Sequence, residues 1–464
     1  MDYVIKNAQI YDCELDTYLY KDIGIKNGII QKIDDYIISG KKEIDVKGLT
    51  LVPGFIDLHT HEDPLGGNTR FHTQESMLNM GVTTVVGGNC GFSPKYTGEY
   101  IAYVDKFGSP TNILLYSGYS VIRSMLDNSS NENVSSYRLG DVYKNLSLKE
   151  IERAIQSVRK NMDDGAIGLS FGLEYTPGIT TEEMIRIIKT LGDYENSLAA
   201  AHYRYDSQRS LESIDECIYV AEQTKIPFLF SHIGSCAAFG YMKEALDKLN
   251  LARSKGIDIS ADCYPYDAFS TLIGSTVFDE GCFESWGKDY SAVLATEGRY
   301  KNEYCTKETF EYLRKYEPDT RVVCFVMNDE EVKMAYKNPH VMVASDGKIK
   351  DGQGHPRGAG TFPRVLGKLV REESVLTFEE AIQKMTLMPA NRLGFTNKGR
   401  IKEGCDADIT ILNKETIIDN ASYTNPSLPP TGIEYVFVNG ELVLENGQIT
   451  KFNSGKAIRR QDIV

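Results

Sequence analysis

From Asp2 to Leu51 short apolar runs alternate with turns: Tyr3-Val4-Ile5, Ile23-Gly24-Ile25 and Ile29-Ile30 are broken by stretches such as Lys26-Asn27-Gly28. This texture predicts antiparallel β-sheet. It returns late in the chain, in Ala407-Asp408-Ile409-Thr410-Ile411-Leu412 and in Tyr435-Val436-Phe437-Val438 before the turn Asn439-Gly440. Because chain ends often lie close together, residues 1–52 and 395–464 are expected to build one small β-sandwich domain.

Between them, β-branched or apolar runs alternate with amphipathic helical stretches, the pattern of βα units around a parallel sheet. Eight main strands are expected, at 55–61, 83–89, 112–117, 166–171, 197–202, 227–232, 258–264 and 341–346. Eight is the number a closed barrel needs, so the expected fold class is α/β, a (β/α)₈ TIM barrel over residues 53–394. A ninth run, Val322-Val323-Cys324-Phe325-Val326-Met327, must belong to an excursion or displace one of the eight. The gap at 278–339, which holds the only tryptophan, Trp286, reads as an inserted lid or substrate subdomain after the seventh strand, or as an ordinary decorated connection.

Composition narrows the function classes. A chain of 464 residues permits two or three structural units, and its apolar and charged fractions, 41% and 25%, are those of a globular protein. No apolar stretch is long enough for a membrane span, and the start, Asp2-Tyr3-Val4-Ile5-Lys6, lacks the build of a secretory signal. A net charge of -14 excludes nucleic acid as the expected partner. Nine cysteines without a CxxC pair suit reduced thiols. The expectation is a cytoplasmic enzyme acting on a small molecule, with its oligomeric state open.

Of seven histidines, four stand at expected strand ends. His59 and His61 close Gly54-Phe55-Ile56-Asp57-Leu58-His59-Thr60-His61, and a His-x-His pair on a strand points both rings to one side, where they can share a metal. His202 ends Leu198-Ala199-Ala200-Ala201, and His232 ends Phe228-Leu229-Phe230-Ser231. Any one alone reads as a structural histidine; four at equivalent positions read as a metal site. Cys90 in Gly88-Asn89-Cys90-Gly91 stands at another strand end, where a thiolate can bridge two ions. Asp346, after Val341-Met342-Val343-Ala344-Ser345, is placed either to take a proton from a metal-activated water or merely to cap a turn. His355 opens a Gly-rich loop carrying Arg357, either a carboxylate clamp or a surface ion-pair partner. His72 is expected either to be solvated or to line the pocket, and His340, at the barrel's far end, to be structural.

These segments, with Gly81-Val82-Thr83-Thr84-Val85-Val86, Cys263-Tyr264-Pro265-Tyr266 and Gly399-Arg400-Ile401, resemble the amidohydrolase superfamily and within it the D-aminoacylases, or N-acyl-D-amino-acid deacylases. Asn89-Cys90-Gly91 discriminates most, since many other branches bridge their metals with a carboxylated lysine. The resemblance implies zinc held tightly by Cys90, His202 and His232, and a weaker second site at His59, His61 and Asp346. It implies that Asp346 is general base and then acid, and that Arg357, Tyr264 or Tyr266, and Ser270 meet the substrate carboxylate. Such enzymes often carry a lysine shortly after the histidine matching His232; here the chain reads His232-Ile233-Gly234-Ser235, with Arg204 either a candidate substitute or, as readily, a brace behind the site. The activity so implied is hydrolysis of N-acyl-D-amino acids. The rivals are a cyclic amide (hydantoin or dihydropyrimidine type) or dipeptide hydrolase and, further off, a non-catalytic scaffold.

Overall fold

The computed structural model describes residues 1–37, 39–65, 71–126 and 136–463. The chain opens with β1 (Tyr3–Asp12), β2 (Thr17–Lys26), β3 (Ile29–Asp34), β4 (Lys42–Asp45) and β5 (Thr50–Pro53). β1, β2 and β3 form the antiparallel meander that the alternation predicts. Asn27 and Gly28 between β2 and β3 both have positive φ, 54° and 82°, as a tight hairpin turn of the mirror-image type requires. β4 and β5 depart from the expectation, because both pair with β1 in parallel. Hydrophobic alternation reports which face of a strand is buried and carries no information about its direction.

A parallel series follows: β6 (Phe55–Asp57), β7 (Val82–Gly87), β8 (Asn112–Leu115), β9 (Ser117–Gly118), β10 (Gly168–Gly172), β11 (Leu198–His202), β12 (Phe228–Phe230) and β13 (Ile259–Cys263). After an excursion through β14 (Phe269–Leu272), β15 (Val293–Ala295) and β16 (Arg321–Cys324), β17 (Val341–Val343) rejoins it. The short hairpin β18 (Ile349–Lys350) and β19 (Gln353–Gly354) comes next, and β20 (Ile409–Leu412), β21 (Ile433–Val438), β22 (Glu441–Glu445) and β23 (Gln448–Ile449) complete the chain. β6, β7 and β8 are one parallel sheet, and β9 to β13 with β17 are another.

Backbone hydrogen bonds sew the two sheets at both ends. β8 and β9 are one run interrupted at Tyr116, with Ile167 N donating to Leu115 O (2.9 Å). At the opposite seam Asp346 N donates to His59 O (2.8 Å) and His61 N to Gly347 O (3.0 Å). Every residue of these strands is buried, as near-continuous apolar runs in a parallel sheet require. Successive side chains serve different cores. Ile56, Val86, Leu114, Leu198, Ala200, Leu229 and Met342 pack together, while Val85, Ile113, Ala199, Ala201, Phe228 and Phe230 face the larger core. Since residues two apart share a face, His202 continues the Leu198–Ala200 side.

The ninth apolar run is resolved as β16, the middle strand of a separate antiparallel sheet with β14 and β15. That excursion starts at Phe269, earlier than 278, and its end also differs: the helix Asp329–Tyr336 packs against β13 and β17 in the manner of an ordinary βα connection. The Gly-rich segment after His355 is a correction of another kind, since Arg357–Arg364 is a helix. Pro356 just before it has the fixed φ that suits a helix start. Strands from both chain ends join in one nine-stranded sheet, ordered β23-β22-β21-β20-β5-β1-β2-β3 with β4 on β1. It has its own core of Ile5, Ile10, Ile23, Ile25, Leu51, Ile409, Ile411 and Phe437. All nine cysteines are free, and among the described residues no helix is long and apolar enough to cross a membrane.

Candidate metal centre and substrate cleft

The strand-end residues converge. Ligand atoms of His59, His61, Cys90 and Asp346 all lie within 4.8 Å of one another, and so do those of Cys90, His202 and His232. Cys90 Sγ is the shared member, 3.3 Å from His59 Nε2 and 3.5 Å from His232 Nε2. His202 Nδ1 lies 3.0 Å from His232 Nε2, and His61 Nε2 lies 3.0 Å from Asp346 Oδ1. Tetrahedral zinc with bonds of about 2.0–2.3 Å sets its ligand atoms roughly 3.3–3.6 Å apart. The two Cys90 distances fall in this range and the two 3.0 Å contacts lie slightly inside it, so the donor set of one sulfur and several ring nitrogens suits zinc in chemistry and approaches its spacing.

The remaining ring nitrogens are occupied, which fixes the tautomers. Glu174 Oε2 accepts from His202 Nε2 at 2.8 Å, leaving Nδ1 for a metal. Ser235 Oγ, whose own hydrogen goes to His232 O, receives His232 Nδ1 at 2.8 Å and leaves Nε2. Asp262 Oδ2 faces His59 Nδ1 at 3.3 Å, while its Oδ1 accepts the His232 backbone N–H at 2.7 Å. Such partners orient metal-binding imidazoles and raise their basicity. Glu174, Ser235 and Asp262 escape the sequence reading. Asp262 leaves a trace there, as an acid inside the apolar strand Ile259-Ser260-Ala261-Asp262-Cys263.

Three of the clustered residues have left-handed backbone: Cys90 (φ 55°), His232 (φ 35°) and Asp346 (φ 48°). For residues with a Cβ this costs about 1–2 kcal/mol each, and such strain collects at functional sites. The Cys90 turn is held by close approach. A Cβ on Gly172 would fall 2.1 Å from Cys90 O, and one on Gly88 would fall 2.3 Å from Tyr116 O.

The electrostatics oppose one another inside the cluster. Burial works to raise the Cys90 thiol, but His59 and His202 outweigh it and hold it below its ordinary value. Burial likewise works against the Asp346 carboxylate, yet Arg357, His59 and His61 hold it well below the usual range. Burial and the neighbouring His202 push His232 well down, toward the neutral ring a metal needs. Burial pushes the Glu174 carboxyl up to about 8.

One cleft opens over these groups, lined among others by Tyr264, Ser270 and Arg357. Arg357 Nη2 pairs with Asp346 Oδ2 at 2.9 Å, and its guanidinium lies 4.6 Å over the Tyr264 ring. His355, neutral through burial, accepts the Arg357 backbone N–H on Nδ1 (3.0 Å) and faces Ala268 O with Nε2 (3.1 Å). Arg357 Nε and Nη1, Tyr264 Oη and Ser270 Oγ are all buried without a partner. Four such polar atoms beside one cleft leave hydrogen-bonding capacity there unused.

A model described as amidohydrolase family matches residues 330–444. The chain is 28% identical to a D-aminoacylase of Alcaligenes xylosoxydans xylosoxydans, over 95% of this chain and 93% of that one. It is 29% identical to an N-acyl-D-glutamate deacylase of the same organism, over 99% and 97%. A solved N-acyl-D-glutamate deacylase from Bordetella bronchiseptica, complexed with zinc and a phosphonate inhibitor that mimics the reaction's tetrahedral intermediate, superposes at TM-score 0.87 with 25% identity over 99% of each chain. Over nearly its whole length the chain is similar to a D-aminoacylase and to N-acyl-D-glutamate and N-acyl-D-aspartate deacylases.

Two of the candidate contacts lie away from the cleft. Arg204 is a brace, because its guanidinium is taken up by Glu216 (2.9 Å at both Nε and Nη2) and by the carbonyls of Pro177 and Ile179. Tyr266 turns its hydroxyl to Asp419 (3.4 Å) and its ring edge to His355, one layer behind the lining. No lysine follows His232 in the run to Ser235, and at Gly234 a Cβ would meet Cys263 Sγ at a tight 3.0 Å. His72 sits near Asp351 at the surface, and His340 immediately precedes β17, at the end of that strand away from the centre.

Proposed function

We propose that the protein hydrolyses the amide bond of N-acyl-D-amino acids, releasing a carboxylate and a free D-amino acid. The observation that carries this is Cys90 at the junction of two ligand groups, facing a buried guanidinium whose remaining donors are free. Cys90, His202 and His232 would hold zinc tightly, and His59, His61 and Asp346 with Cys90 a second, weaker ion. The eight parallel segments are read as one closed (β/α)₈ barrel, the terminal strands as a small β-sandwich domain, and the excursion after the seventh strand as cover for the cleft, in a cytoplasmic enzyme.

Zinc, when bound, supplies the Lewis acidity that polarises the acyl carbonyl and stabilises the tetrahedral oxyanion. Arg357, Tyr264 and Ser270 seat the α-carboxylate and fix which face of the acyl carbon meets the attacking water. Asp346 takes a proton from that water as its oxygen bonds to the acyl carbon. When the C–N bond breaks, Asp346 returns the proton to the departing nitrogen. Substrate binding prepares this step, since a carboxylate on the Arg357 guanidinium offsets the charge that holds Asp346 so acidic.

The test is a kinetic screen of N-acetyl-D-amino acids, with their L-enantiomers, a hydantoin and a dihydropyrimidine alongside, and zinc measured on the same sample. Release of acetate from D-substrates alone is the expected result. Ring opening without acetate release, or no turnover with zinc present, rejects the reading.

A further inference from the structure

A second cavity adjoins the cleft and has no part in the reaction above. Its walls come from three segments, each continuing directly from a residue of the metal cluster. His61 lines the cleft and Glu62 to Leu65 line the cavity; Cys90 and Phe92 line the cleft and Ser93 to Tyr96 the cavity. Asp346 lines the cleft, and Lys348, two residues on, belongs to both. Among the described residues, no wall of the cavity follows His202 or His232. The cavity therefore opens beside the His61, Cys90 and Asp346 half of the cluster.

Strand order gives it a direction. β13 pairs with β17, the seam joins β17 to β6, and β6 pairs with β7. Tyr264 directly follows β13 and Ser270 lies on β14. The carboxylate donors thus stand on the β13 side of Asp346, and the cavity stands on the β6 and β7 side. A substrate with its carboxylate at Arg357 and its scissile carbonyl over the cluster has one substituent left to place, the acyl tail. The cavity lies where that substituent points. Its surface is largely apolar, from Pro64, Leu65, Pro94, Tyr96 and the Tyr100 ring. Two of its acids are turned into the backbone: Glu62 Oε2 accepts Gly88 N–H at 2.7 Å, and Asp63 accepts those of Thr73 (3.1 Å) and Gln74 (3.3 Å). Glu99 shares the mouth with Lys95 and Lys348, so neither sign of charge dominates there.

We propose that this cavity binds an unbranched, uncharged acyl chain longer than acetyl, so that the preferred substrates are medium-chain N-acyl-D-amino acids. This rests on the deacylase reading and deepens it on the acyl side, where the loops after β6 and β7 select the group that is released as the free carboxylate.

The experiment measures kcat/KM for the N-acetyl, N-butanoyl, N-hexanoyl and N-adipoyl derivatives of D-alanine and of the D-amino acid that reacts best in the screen above. Wild type is compared with Leu65→Asn, Tyr96→Ser and the double variant, each checked for zinc content and Tm. Tyr96 is exposed and caps the helix Thr97–Phe107, a position that serine favours, so that variant should fold. Full burial of one methylene corresponds to about fourfold, so a rise of at least about tenfold from acetyl to hexanoyl is expected even in an open groove, mainly in KM. That ratio falls by at least about threefold in each single variant and toward one in the double variant. The adipoyl chain, equally long but ending in a carboxylate, is expected to react at least about tenfold more slowly than hexanoyl. Hexanoyl no better than acetyl in wild type overturns the proposal while leaving the deacylase reading intact. So does a hexanoyl preference that survives in the folded, zinc-loaded double variant, because the tail would then lie elsewhere in the cleft. Adipoyl preferred over hexanoyl also overturns it, since the acyl site would then be one for an anion. No hydrolysis of any of these substrates rejects both readings.

Discussion

Two buried clusters of charge in this molecule look alike in composition and differ in completeness. At the junction of the nine-stranded sheet and β8, Lys398 pairs with Asp408 (2.5 Å) and Asp406 (2.8 Å). Asp408 also accepts from Asn112 Nδ2 (3.0 Å) and Asn439 N (2.7 Å), and Asn439 Nδ2 reaches Asn112 Oδ1 (2.8 Å). None of these five side chains leaves a buried nitrogen or oxygen without a partner. At the strand ends, the cleft keeps four such atoms and three left-handed residues. Closure marks a joint, and incompleteness marks a site awaiting a ligand.

The sharpest break in the comparison is removal of the shared ligand. Cys90→Ala should cost more than about a thousandfold in turnover and strip bound zinc, whereas the junction cannot be emptied by a chelator; metal analysis beside kinetics decides it. Asp346→Asn should lower kcat by about 10²–10⁴-fold with zinc content nearly unchanged, and retained turnover would refute the proton-transfer role. Lys398→Met is the converse experiment. Breaking one side of a buried pair costs roughly 3–5 kcal/mol, so Tm should fall clearly while kcat/KM of the surviving folded enzyme stays near wild type. The smallest effect is expected from Ser270→Ala, a rise in KM of about three- to tenfold without loss of stability, because its hydroxyl has no partner to abandon.

The same contrast explains what was legible beforehand. His59, His61, Cys90, His202, His232 and Asp346 could be read because rare residue types recur at the ends of apolar runs, and a parallel sheet turns that linear regularity into a spatial cluster. The excursion sheet could not be placed, since the run at 322–327 has the same period as any buried strand. Arg204 could not be decided between substrate contact and brace for a related reason. Its proximity to His202 in sequence says nothing of Glu216, which lies on the next helix and captures it. Arg321, which also lines the cleft, left no signal at all: its place there depends on the antiparallel register with β14, and register is a tertiary property.

The members of the cluster are spread unevenly along the chain. Cys90, His202 and His232 all precede Asp346 by a long stretch of chain, so a polypeptide emerging N-terminus first can gather the thiolate and two imidazoles while its last strands are still being made. Asp346 arrives only with the seam to His59. The cluster is therefore complete only when the last parallel strand has docked against the first.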